Sequence, residues 1–184
     1  MNTCLIVVDL QNDYFPGGSM ELVSIEAAAA NAQLLLREFR KAKLSVVHIQ
    51  HIAARPGATF FLPETDGAQI NQMVTPQVGE EVVVKNFPNS FRGTTLLEIL
   101  KKSKTENLFI CGAMSHMCID ATTRAAFDLG FNCTVAEDAC ATKDLIFKGR
   151  IIAASDVHAS FMAALSVPYA KVISTQEIIK GMAE

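Results

Sequence analysis

Apolar runs rich in β-branched residues recur along the chain and alternate with longer stretches of helical periodicity. The runs are CLIVVD (4–9), LSVVHIQ (44–50), EVVVK (81–85), NLFICG (107–112), NCTVAE (132–137) and AKVIST (170–175). Helical patterns occupy 24–42, 94–103, 118–129 and about 155–166. Near-continuous apolar strands separated by helices bury both faces of a parallel sheet, so the pattern predicts a doubly wound three-layer α/β/α domain. Two long connections, 10–22 and 51–80, hold most of the Gly, Pro and aromatic punctuation, and loops of this length serve as lids or binding loops. No repeat or linker divides the chain, and 184 residues, 50% of them hydrophobic, suit one domain spanning 1–184.

Charge narrows the partners. A formal net charge of −3, without a Lys/Arg run, gives no footprint for nucleic acid or an anionic membrane, which points to a small molecule. The opening MNTCLIVVDLQND has an apolar run that stops at Asp9, so it reads as a first strand rather than a signal peptide, and a cytoplasmic protein is expected. Five cysteines, an odd number without an export signal, argue for reduced thiols. Cys111 and Cys118, like Cys133 and Cys140, are seven apart, too wide for a zinc knuckle.

In open α/β sheets ligands bind beyond the carboxyl ends of the strands. The first strand ends in Asp9, the third in Lys85, and the fourth leads through a short loop to Cys118 at a helix start. Singly, Asp9 reads equally well as a turn residue, Lys85 as a solvated charge and Cys118 as a small buried hydrophobe. Together they make an activated nucleophile: a helix N-terminus and an ammonium lower the thiol pKa, Asp9 carries the proton, and Lys85 holds the carboxylate. This is triad logic with Lys in place of His.

The segments IVVDLQNDYF, VVVKNFPNSFRGTTL and FICGAMSHMCIDATTRAAFDLGFNCTVAEDAC, in that order, resemble the isochorismatase-like cysteine hydrolases, which include nicotinamidases and N-carbamoyl amidases. The resemblance implies a Rossmann-like, six-stranded parallel sheet and a catalytic triad of Asp9, Lys85 and Cys118. It further implies a cis peptide between Ala113 and Met114, and an oxyanion hole from the backbone N–H groups of Met114 and Cys118. Its chemistry needs no cofactor, and its members are commonly homodimers or homotetramers. The implied activity is hydrolysis of a C–N bond in a small amide, ureido acid or imide through a thioester. The alternative is a vinyl-ether hydrolase of the isochorismatase type, with Asp9 as general acid and no covalent step.

The nicotinamidase metal site is not carried over. The region HIQHIAARPGATFFLPETDG lacks the Asp-x-His element, and His48 and His51, three apart on a strand, point to opposite faces. No metal is therefore expected. Gln11, Phe15, Phe60, Phe91 and His116, from loops near the strand ends, are the candidates for substrate binding; for the phenylalanines, core packing is an equal reading. His158 reads as structural, Asp13 as a loop carboxylate, and Thr122, Arg124 and Asp138 as braces.

Overall fold

The computed structural model describes residues 2–183. In chain order the elements are β1 (Thr3–Val8), α1 (Ile25–Lys41), β2 (Ser45–His51), β3 (Glu81–Lys85), α2 (Leu96–Lys102), β4 (Asn107–Ala113), α3 (Asp120–Asp128), β5 (Asn132–Ala141), β6 (Leu145–Phe147), β7 (Arg150–Ile152), α4 (Ala154–Leu165), β8 (Lys171–Ile173) and α5 (Thr175–Ala183). Six strands form one sheet in the order β3-β2-β1-β4-β5-β8, and every pairing in it is parallel.

Alternation along β1 divides the core. Leu5 and Val7 face α1 and α5, packing with Ala29, Leu35, Phe39 and Ile178. Cys4, Ile6 and Val8 face the opposite layer, where Leu96 and Leu100 of α2, Ala126 of α3 and Leu165 of α4 close the second half. The central strands are buried on both faces, which is why their sequences read as unbroken apolar runs. Among the described residues no helix is long and apolar enough to cross a membrane.

Strand β1 is flanked by β2 and β4, so the chain leaves it toward β2 and β3 and later returns on its other side. That reversal opens a crevice beyond the carboxyl ends of β1 and β4. At the same end, Gly112 of β4 has φ +125°, and a Cβ there would collide with the Val8 carbonyl, so only glycine lets the two strands close up.

The structure departs from the sequence expectations in four places. The last strand is shorter than 170–175: Thr175 begins α5, its N–H and hydroxyl bound by Asp138 Oδ1 at 2.7 and 2.8 Å. The segment 145–152 forms an antiparallel hairpin, β6–β7, whose Ile146, Phe147 and Ile151 are exposed. The 51–80 connection carries two 3₁₀ turns, Asp66–Ala68 and Gln72–Val74. Finally, Cys118 does not open an α-helix; it lies within a π-type turn, Ser115–Ile119, that leads into α3.

Candidate active site

Three strand ends deliver the site. Asp9 follows β1 directly, with φ 52° and its N–H held by the Ile49 carbonyl at 3.0 Å. Aspartate tolerates this left-handed conformation better than most residues. Lys85 closes β3, in register with His51 of β2. Cys118 is supplied by the π turn after β4, and the peptide between Ala113 and Met114 at the head of that turn is cis.

The three side chains meet in a buried cluster: Asp9 is 0%, Lys85 1% and Cys118 4% exposed. Lys85 Nζ lies 2.7 Å from Asp9 Oδ2 and 3.2 Å from Cys118 Sγ. It also contacts His51 Nδ1 at 3.1 Å and the Phe87 carbonyl at 3.2 Å, so three N–H bonds are shared among four acceptors. Asp9 takes the Lys85 ammonium at 2.7 Å and is also hydrogen-bonded to the Cys118 thiol. That carboxylate is the group a proton from the thiol would reach.

Electrostatics correct one expectation. Burial pushes the Cys118 thiol up, the Asp9 charge pushes it further, and Lys85 offsets only part of the rise. The thiol is thus neutral at rest rather than a standing thiolate. Burial works against the Lys85 ammonium, yet Asp9 and Cys118 outweigh it and raise its pKa. His51 moves the other way, lowered by burial and then by Lys85, so its neutral ring offers Nδ1 as an acceptor.

His51 was not singled out as a site residue on sequence, because the missing Asp-x-His element removed the reason to consider it. Its partner in that reading, His48, does face the other way: its Nε2 lies 2.9 Å from Glu80. Asp9, His51 and Cys118 bring ligand atoms within 4.8 Å of one another, a donor set with metal-binding chemistry. The Lys85 ammonium already lies against all three, and a second cation would meet it at contact distance. The donor set therefore fits an ammonium and not a metal ion. Tyr14 was also missed. It is buried, and burial, followed by the charges of Asp9 and Cys118, raises its phenol, which puts it beside the triad.

A cavity of about 300 Å³ opens next to the triad, lined by His51, Arg55, Phe60, Phe87, Pro88 and Met117 among others. A larger one, about 640 Å³, lies between the 12–19 and 66–75 segments; no triad residue lines either, but His51 and Phe87 of the first contact Lys85. Of the five predicted substrate-binding residues, Phe60 alone lines the cavity at the triad. Gln11 is buried, donating to the His51 and Ala68 carbonyls at 2.9 and 2.7 Å and accepting from the His51 N–H at 2.7 Å, so its amide is fully engaged by backbone. Phe15 borders the larger cavity, and Phe91 stacks on Phe131 at 6.2 Å. His116 turns toward Thr142, 2.6 Å away, and Phe161.

The supporting residues behave as braces. Thr122 of α3 takes the Ser90 N–H at 3.1 Å, tying the loop after Lys85 to the helix behind Cys118. Arg124 pairs with Asp120 at 2.8 Å. Asp13, read as a loop carboxylate, is buried and accepts from the Ser19 and Phe61 N–H groups at 3.1 and 2.6 Å. The tyrosine next to it and the phenylalanines of the 51–80 loop are thereby packed over the strand ends.

Comparison with known proteins identifies the family. The isochorismatase domain model matches residues 3–177. The chain is 48% identical to the uncharacterized isochorismatase family protein YddQ of Bacillus subtilis, over 98% of this chain and all of that protein. It is 35% identical to a streptothricin hydrolase of Streptomyces noursei, over 88% of this chain and 55% of that protein. A crystal structure of an isochorismatase hydrolase from Oleispira antarctica superimposes with a TM-score of 0.95 at 51% identity, covering 98% of this chain and 97% of that one. With the sheet order, the switch-point crevice and the matched span all in agreement, the chain belongs to the isochorismatase family and is a hydrolase.

Proposed function

We propose that this hydrolase cleaves a C–N bond in a small amide, ureido acid or imide through a thioester on Cys118. One observation carries the reading: a thiol, a carboxylate and an ammonium converge in a buried cluster that adjoins an open cavity. Asp9 takes the thiol proton as Cys118 Sγ attacks the carbonyl carbon, which makes the S–C bond and sends the π electrons to oxygen. The backbone N–H groups of Met114 and Cys118 receive the oxyanion. Collapse breaks the C–N bond, with Asp9 returning its proton to the leaving nitrogen. Asp9 then deprotonates a water that attacks the thioester, and the thiolate leaves with that proton.

The raised thiol pKa suits this sequence. Proton transfer is coupled to attack, so the nucleophile is formed where the substrate has already displaced water. The apolar walls of Phe60, Phe87, Pro88 and Met117, with the Arg55 cation at the rim, favour a compact planar substrate. The similar streptothricin hydrolase sets a precedent for a small-molecule substrate within the family.

The test is a screen of amides, carbamoyl amino acids and isochorismate for ammonia or pyruvate release, run on the native chain and on Cys118→Ala. The expected result is ammonia release that falls by about 10⁴-fold or more in the variant. Isochorismate-dependent pyruvate release that survives Cys118→Ala would establish instead a vinyl-ether hydrolase with Asp9 as general acid.

A further inference from the structure

Behind the π turn a second chain of polar groups reaches away from the triad. Ser115, the first residue of the nucleophile's turn, is fully buried. Its Oγ lies 2.9 Å from His158 Nδ1 on α4 and 3.3 Å from the Ala141 carbonyl at the end of β5. His158 Nε2 in turn lies 3.9 Å from Glu137 Oε2 on β5. Ser115 has one hydroxyl proton, which it donates to the Ala141 carbonyl, so its oxygen is left to accept from His158 Nδ1–H.

We infer that His158 is a positioning residue for the reaction: through Ser115 it fixes the turn that presents the Met114 and Cys118 N–H groups together with the thiol. This rests on the nucleophile and oxyanion roles proposed above. The geometry requires some such anchor. A π turn is an uncommon backbone form, found chiefly at functional sites, and the turn's backbone bonds here include those from the Met117 and Ile119 N–H groups to the Met114 carbonyl. The Ser115 hydroxyl adds a tie from the turn to two elements outside it, α4 and β5. His158 itself does not touch the triad; its effect passes through one hydrogen bond.

The shape of imidazole supplies the test. An asparagine side chain can place an N–H donor where Nδ1 sits, whereas leucine fills similar volume with no hydrogen-bonding atom. The readout is the burst of p-nitrophenolate from p-nitrophenyl acetate, in which the acetyl carbon passes to Cys118 Sγ as the aryl C–O bond breaks. His158→Leu is expected to lower the maximal acylation rate by about 10- to 100-fold, the effect of roughly ångström misplacement. Half-saturation should move less than about twofold, because the inferred loss lies in the transition state and not in binding. His158→Asn is expected to restore most of the rate, and thermal unfolding of the two variants should be alike.

Equal rates in the two variants, whether both intact or both impaired, or a change confined to half-saturation, would overturn the inference and leave the nucleophile assignment standing. A burst that is absent from the native chain, or that survives Cys118→Ala, would sink the nucleophile assignment and this inference with it.

Discussion

Lys85 shows how far burial changes a side chain. In sequence it is an ordinary strand-end lysine, yet in the fold its ammonium is the charge that makes a buried carboxylate tolerable and pulls the Cys118 thiol partway back down. Replacing Lys85 with methionine removes that cation and strands Asp9 without its ion-pair partner. Breaking a buried pair from one side costs about 3–5 kcal/mol. Lys85→Met is thus expected to unfold at lower urea and to lose at least about 10³-fold in turnover, since its thiol is pushed higher still. Because the folded ammonium has a raised pKa, the pair's stabilisation is fully present below the unfolded value near 10.5 and fades as pH climbs through the higher folded one. Urea titrations should accordingly show the native chain losing stability above that pH and the variant losing little; parallel pH profiles would contradict the pairing.

Gln11 makes the corresponding point for loops and strand ends. Its side chain joins the end of β2 to the first 3₁₀ turn of the long 51–80 connection, and so holds His51 against Lys85. Gln11→Leu keeps the volume but leaves the His51 N–H without its acceptor, at a cost of about 2 kcal/mol. The expected phenotype combines lower stability with reduced turnover, because His51 loses its register. A variant with native stability and weaker substrate binding alone would restore Gln11 to the binding role its sequence position suggested. The contrast shows what was legible. That Asp9, Lys85 and Cys118 come together could be read from the sequence because strands announce themselves as apolar runs, and the three lie at or shortly beyond the ends of those runs. Gln11, Phe15, Phe91 and His116 were assigned by nearness in sequence, whereas side-chain direction depends on partners far along the chain, such as His51 and Ala68 for Gln11, Phe131 for Phe91 and Thr142 for His116. The β6–β7 hairpin escaped notice because LIFKGRII is a short mixed segment between longer runs. The π turn did so because one extra residue per turn leaves no mark on periodicity.

Across the whole molecule, the proposed catalytic site and the groups that set acid stability lie at opposite ends of the sheet. The carboxyl ends gather the triad, while the entrance to β3 holds Glu80, whose carboxylate takes Arg40 Nε and Nη2 at 2.7 and 2.8 Å, the Gln77 N–H at 2.8 Å, and His48 Nε2 at 2.9 Å. This cluster clamps α1 to β2 and β3. Burial alone would raise the Glu80 carboxyl, but the Arg40 guanidinium, the Gln77 N–H and His48 together bring it down to about 2. A depressed carboxylate contributes stability that is complete above its unfolded pKa, near 4.5, and is lost as pH falls toward about 2. Glu80→Gln should therefore unfold more easily at neutral pH, by about 2 kcal/mol, and should show a flatter decline between those two values. Five residues of strand place Glu80 about 16 Å from Lys85, beyond direct contact with the triad. Neutral-pH turnover per folded molecule is expected to stay within twofold of the native chain, and a kinetic loss in a fully folded Glu80→Gln protein would show that the clamp reaches the site through β3.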